Sequence, residues 1–328
     1  MNFYSRNKTL EDKIREKVIN SFLSISDLHI REILIQRQKT SCYIKGISSY
    51  HIFKGMASDY DENRNIELSK NLEIWSTGLV ILDNISDSHK VRNNATTYLK
   101  EFGVEKSAIA ACYATHLGLI DLSEYIYKLN LLTSDFGSFS VAKSVDGAIN
   151  MDMNHPTLDC DILDAIARVN GLTLSLPLSI SAIAANDDKE VIFDILKYGY
   201  DTGIAFGLFE ELRDLVGIHG REKASEIKSG RVPYYLARAK KIDPKIDLKR
   251  FVGKNLDTKD YINLISILEK TSAIEHTSKL IKNHLEYGRK RIEWRLSKES
   301  YYELDLLRKT TEVNLANILL SLKNISIG

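Results

Sequence analysis

Two short stretches of the chain carry carboxylates at helical spacing. Asp83 and Asp87 are four residues apart, and Glu210 and Asp214 repeat the interval with Glu211 beside them. On a helix each pair projects from one face, one turn apart. Leu79, Val80, Ile81, Leu82 and Ile85 surround the first group; Ala205, Phe206, Leu208, Phe209 and Leu212 surround the second. Like charges so placed repel, and beside apolar surface they require a counterion. Carboxylate oxygens that leave room for water and phosphate oxygens are what Mg2+ prefers. Arginines follow both groups: Arg92 after the first, Arg221 and Arg231 after the second. Guanidinium forks match diphosphate oxygens two at a time, and with a metal they stabilise charge gathering on a departing diphosphate. That is the electrostatic requirement for breaking an allylic carbon to oxygen bond.

These groups need long, uninterrupted helices to hold them, and the sequence supplies them. Four prolines, Pro156, Pro177, Pro233 and Pro244, lie far apart, and no Ser/Gly/Pro-rich linker divides the 328 residues. We therefore read residues 1–328 as one domain. Ile14, Val18, Phe22 and Ile25 recur at three and four residue intervals, which predicts helix over 9–39 with a break near Ser26 and Asp27. Residues 58–65 read as a loop and 66–87 as a helix ending in the first acidic group. A turn over 93–100 leads into a helix over 104–130, and 133–138 is a loop. Further helices cover 141–151, 158–185 and 189–216, the second bent by Gly171 and Pro177. Residues 217–230 form a short charged gap. After Pro233 come helices to about residue 241, over 259–285 and over 288–296, then a last one with Leu304, Leu307, Thr311, Leu315, Ile318 and Leu322 on one face. The fold class is all-α, with ten or more helices and no strand series.

Charge and cysteine usage narrow the function. A formal net charge of +1, from 45 basic and 44 acidic residues, offers no basic face for nucleic acid. Cys42, Cys112 and Cys160 are too few and too scattered for a zinc cluster or a disulfide framework, and they fit a reducing compartment. The first twenty residues lack the apolar core of a signal peptide, and the longest low-charge region, 108–119, is short of a bilayer span. A cytoplasmic protein with no transmembrane segment is expected.

Asp83-Asn84-Ile85-Ser86-Asp87, followed by Arg92, resembles the first aspartate-rich motif of the trans-isoprenyl diphosphate synthases, DDxxD and then xxxxRRGxP. Glu73 stands ten residues ahead of it and Phe102-Gly103 falls where that family has Phe-Gly. The run from Gly203 to Asp214, with Phe206, Glu210 and Glu211, is similar to the second motif, GxxFQxxDDxxD. Gly220-Arg221 and Gly230-Arg231 follow at the family's GK spacing, with Arg for both lysines. The resemblance implies the isoprenoid synthase fold, helices around a central apolar cavity. It also implies Mg2+ on Asp83, Asp87, Glu210 and Asp214, three ions with bound diphosphate, and a homodimer. Arg92, Arg221 and Arg231 would then hold the diphosphate of an allylic prenyl substrate, and Trp75, Phe206, Phe209 and Tyr113 are candidates for the cavity wall. Gly78, five residues before Asp83, stands at a position where family members use side-chain size to limit prenyl length; its missing side chain would deepen the cavity for a C15 to C25 substrate.

The departures from the family pattern cluster at the acceptor site. Where that family has GKRxRP, this chain has Tyr43-Ile44-Lys45-Gly46-Ile47-Ser48; Ser76 replaces a His, Asn93 the second Arg, and Val169-Asn170 a Lys-Thr pair. Lys45 lies one residue from a family cation, and on a helix that shift turns a side chain by about 100°. The asymmetry makes a class I terpene synthase, which ionises the allylic diphosphate and cyclises the cation, the leading expectation. The alternatives are prenyl transfer to another acceptor, chain elongation with Lys45 and Lys39 rebuilding the second diphosphate site, and a nonenzymatic regulatory subunit.

Overall fold

The computed structural model describes residues 2–86, 91–92, 95–96, 98–133, 153–186, 188–218 and 222–327. Helices α1 (Phe3–Arg6), α2 (Lys8–Leu23), α3 (Leu28–Gln38), α4 (Ile44–Met56) and α5 (Glu62–Ser86) lead to a two-residue antiparallel pair, β1 (Val91–Arg92) and β2 (Ala95–Thr96). Helices α6 (Tyr98–Ile120), α7 (Ser123–Leu132), α8 (Leu158–Ile166), α9 (Leu172–Ala185) and α10 (Lys189–Val216) follow, with a π-helical turn, Ala167–Gly171, joining α8 to α9. The rest comprises α11 (Ser225–Lys228), α12 (Tyr234–Ile242), α13 (Thr258–Lys270), α14 (Ala273–Ile292) and α15 (Lys298–Ile327). The expected helix over 141–151 and nearly all of the 133–138 loop lie outside the described residues.

The break at Ser26 and Asp27 is where α2 gives way to α3, and Asp27 caps α3 by accepting the Ile30 N–H at 2.9 Å. Helix α10 spans the residues its periodicity predicts. It starts on Asp188, whose side chain accepts the N–H groups of Glu190 and Val191, and stops at Gly217 in the left-handed region (φ 69°). Elsewhere the boundaries differ for local reasons. Gly103 (φ 79°) kinks α6 near its start, and the helix expected to run to 130 breaks at 121–122. Ser272, also left-handed (φ 51°), divides α13 from α14.

Helix α5 packs along α6, while α9 and α14 flank α10. The longest apolar helical stretch among the described residues is Leu158–Ala185 rather than 108–119; it is long and apolar enough to cross a membrane, but 83% of its most apolar window is buried among other helices. Three apolar clusters fill the interior, and Phe206 packs against two of them.

The N-terminal segment is clamped across the bundle by buried polar groups. Phe3 is fully buried and donates its N–H to Thr310 Oγ1 at 3.0 Å. Asn7 Nδ2 donates to Glu303 at 3.2 Å, Arg6 pairs with the same carboxylate, and His51 Nε2 donates to Asn7 Oδ1 at 2.8 Å. Burial pushes the His51 pKa down to about 4; Glu303 and Glu299 oppose the shift, and Lys54 and Arg6 add to it. The folded protein therefore binds fewer protons here than the unfolded chain between that value and about 6.5, so stability falls as pH falls through this window. The linked loss is about 3 kcal/mol when the whole window is crossed. Urea unfolding of His51→Gln should show a shallower loss between pH 6.5 and 4 than the parent; equal slopes would contradict this role.

Candidate active site

Asp83 lies near the end of α5, partly exposed, while Asn84 beside it is buried and donates to the Tyr98 hydroxyl at 2.5 Å. Asn84 thus turns inward to fasten α5 to α6. Ile81 belongs to one buried cluster, and Leu82, Ile85 and, from α10, Phe206 pack against it. Phe206 is one turn before Glu210, so the two acidic helices converge on shared apolar surface. Asp87 and Arg221 lie outside the described residues; Arg92 is described only as backbone, paired with Ala95.

Glu210 remains partly exposed and pairs with Arg213 at 2.5 Å. The other two acids of the second group behave differently. Burial pushes the Glu211 pKa well up, and its carboxylate accepts the Tyr234 N–H at 2.9 Å, with Glu226 adding repulsion and Arg231 relief. Asp214 is only 1% exposed; it accepts the Ser225 hydroxyl and, at 3.0 Å, the Glu226 N–H. Asp214, expected as a metal ligand, is covered in this structure: the chain folds back over it after Gly217 and its carboxylate meets the start of α11. Asp83 and Glu210 keep partial exposure, and as hard oxygen donors both suit Mg2+.

Gly78 is also corrected. A Cβ there would lie 2.3 Å from Thr115 Oγ1 and 2.6 Å from the Ala111 carbonyl oxygen, so the missing side chain lets α5 and α6 approach and does not deepen a cavity. Adding one methyl to that crossing should cost about 1–3 kcal/mol, more than the roughly 1 kcal/mol by which Ala favours a helix over Gly. Gly78→Ala should lower the melting temperature; a variant as stable as the parent, with shorter products, would restore the cavity-wall role. Of the aromatic candidates, Trp75 is 1% exposed and packed in the core. Phe209 faces the C-terminal cluster, Tyr113 is 41% exposed on the outside of α6, and Phe206 alone of the four packs on the two clusters that contain α5 residues.

Helix α4 positions groups that sequence periodicity did not place. Tyr43, at the family's glycine position, adopts the left-handed conformation (φ 51°). That strained backbone is held by its hydroxyl, which donates to Gln38 at 2.6 Å, and by Arg15, whose guanidinium lies 4.5 Å from the ring centroid. The turn aims the start of α4 at α5. The Gly46 N–H donates to Glu73 Oε1 at 2.6 Å, and Lys45 Nζ donates to Ser76 Oγ at 2.7 Å. A Cβ at Gly46 would sit 2.7 Å from the Glu73 side chain, so glycine is what allows this approach. Lys45 therefore reaches from α4 to Ser76 on α5. Val169 is buried in the π turn, whose backbone meets α10 at Gly203: a Cβ there would be 2.2 Å from the Asn170 carbonyl oxygen.

No family model matches the chain. A prenyl transferase of Cyanophora paradoxa is 23% identical over 241 residues, covering 70% of this chain and 72% of that one. The geranylgeranyl pyrophosphate synthetase of Pyrococcus horikoshii Ot3 superposes with a TM-score of 0.80 at 17% identity, over 94% of this chain and 98% of that one. The chain has the fold of these prenyl diphosphate synthases and is similar to them in sequence at low identity. Within that fold the polyprenyl synthase of Caulobacter crescentus CB15, solved with calcium and isoprenyl diphosphate, has a TM-score of 0.79 at 14% identity, over 94% of this chain and 96% of that one. The synthase relatives thus match the all-helical architecture along nearly the whole chain.

Proposed function

We propose that the protein is a prenyltransferase that joins an allylic prenyl diphosphate to a second isoprenoid diphosphate, lengthening the chain. The observation that carries this reading is the ammonium of Lys45 2.7 Å from Ser76 Oγ, a cation that would serve the acceptor side. The relative named for prenyl transfer and the neighbour named for geranylgeranyl pyrophosphate synthesis support it over the cyclisation expected from the sequence.

Asp83 and Glu210, with Asp87, would hold Mg2+, which when bound neutralises the substrate diphosphate and lets it leave with its electron pair. Arg92 and Arg221 would bind the same diphosphate. Arg213 restrains Glu210, and Asp214 and Glu211 fix the return of the chain through α11 and α12 beside it. Lys45 and Ser76 would receive the acceptor's diphosphate and bring its double bond towards the cation. Release of inorganic diphosphate from farnesyl diphosphate should need Mg2+ and accelerate when isopentenyl diphosphate is added. An unchanged rate would return the reading to ionisation without an acceptor.

The protein would act as a homodimer. Ile109 and Ile120 on α6 and Tyr127 and Leu131 on α7 are each more than half exposed, an apolar face that a second copy would cover. Sedimentation should give a dimer that Ile109→Glu with Ile120→Glu converts to monomer; a monomeric parent at micromolar concentration would oppose this.

A further inference from the structure

The end of the bundle away from the acids carries an aromatic and basic patch that the proposed reaction does not use. Helix α4 starts where Lys45 meets Ser76 and finishes beside Gly55, whose carbonyl accepts the Ser297 N–H at 3.0 Å. Along α10, Asp194 and Glu210 are separated by about 24 Å of helix. Trp294 lies at this far end, in the turn between α14 and α15, and is 88% exposed. A loose chain is not the reason. Ile292 is buried, the Arg295 N–H returns to the Ile292 carbonyl at 3.1 Å, Arg295 Nε donates to Asp194 at 2.8 Å, and Ser297 is fixed to α4. Tyr287, Lys290 and Arg291 stand one and two turns before Trp294 on the same side of α14, and all three are exposed. Phe193, next to Asp194 on α10, is exposed as well.

The surface around the indole is positive. Residues 189–197 and 286–298 together carry seven Lys or Arg and four Asp or Glu, an excess of three cations. Arg295 is engaged by Asp194 and Arg289 by Glu286, whereas Lys290 and Arg291 lie 3.9 Å from Glu286 and Asp194, too far for a hydrogen bond. A second copy laid on this face by a twofold axis would set like charge against like. We propose that the Trp294 turn docks the protein on an anionic membrane surface, with the rings of Trp294 and Tyr287 among the headgroups and Lys290 and Arg291 on lipid phosphates. Both rings join an apolar body to a polar tip and settle at that boundary, where the negative surface potential draws Lys and Arg. A ring projecting from a turn suits a deformable surface. The inference goes beyond the prenyl-transfer reading and does not depend on it. Docking by this end keeps Lys45 and Glu210 on the side away from the lipid.

The chain has two tryptophans and Trp75 is buried in the core, so a change in emission on adding lipid reports on Trp294. Vesicles of phosphatidylcholine and phosphatidylglycerol in equal parts should move the emission of the full chain to shorter wavelength and carry the protein down on centrifugation. Vesicles of phosphatidylcholine alone should bind it far more weakly, and added salt should weaken the binding to the mixed vesicles. Trp294→Ala, and separately Lys290→Glu with Arg291→Glu, should lower affinity for the mixed vesicles about tenfold while keeping the parent's melting curve. A parent that stays in solution beside the mixed vesicles, or variants that bind them as tightly as the parent, overturn the proposal. So does a parent that binds polyglutamate and no vesicle, which would assign the patch to an acidic protein. A parent that docks as described, yet releases no diphosphate from any allylic substrate, supports the docking surface and sinks the functional reading alone.

Discussion

Replacing Asp83 or Glu210 by Ala should lower turnover by about 10²- to 10³-fold, the cost of removing one electrostatic partner of a developing anion. The two are singled out by exposure and not by motif membership. Asp83 sits partly open beside the inward-turned Asn84, and Glu210 is partly open and restrained by Arg213. Asp214 provides the contrast. It is buried under α11, so Asp214→Ala strands the Ser225 hydroxyl and the Glu226 N–H and should lower thermal stability as well as activity. Steady-state kinetics with circular dichroism separates the cases: Asp83→Ala and Glu210→Ala should keep the parent's melting curve. A loss of only two- or threefold in both would show that the metal and the substrate diphosphate lie elsewhere.

Lys45→Ala should raise the KM for isopentenyl diphosphate while leaving that of the allylic substrate near its parent value. A charge-assisted hydrogen bond contributes about 1.5–3 kcal/mol, which corresponds to roughly tenfold to a hundredfold in KM. The geometry behind this is the Lys45 to Ser76 contact at 2.7 Å, set up by the left-handed turn at Tyr43 and by the glycine that lets α4 meet Glu73. Initial rates with each substrate varied in turn make the measurement. Equal changes in both KM values, or none in either, would remove Lys45 from the acceptor site.

Much of the architecture was legible because long periodic segments carry their own signal. Helix α10 was bounded from its apolar spacing and its terminal Asp188 and Gly217, and the break between α2 and α3 from Ser26 and Asp27. What periodicity cannot report is which neighbour a given face meets. Gly78 read as open space and is instead where α5 and α6 touch. The burial of Asp214 was not legible because it depends on a four-residue helix that forms after a charged gap. Helix α4 was missed altogether: its start turns on a tyrosine in a conformation more usual for glycine, and most of its residues are buried, so no polar face marks it. Lys45 followed from that miss, since the angular argument assumed the family's backbone path at this turn. The signal that could have found it is the fourteen-residue stretch 43–56, which has no acidic residue and only Lys45 and Lys54 as full charges, long enough for a mostly buried helix.

The most direct test of prenyl transfer between two diphosphates is the mass of the product. With Mg2+ and geranyl, farnesyl, geranylgeranyl or geranylfarnesyl diphosphate in turn, adding isopentenyl diphosphate should yield from at least one substrate a linear diphosphate longer by one or more C5 units. A cyclic hydrocarbon or alcohol, formed equally well without isopentenyl diphosphate, would contradict the account and make the protein a cyclase.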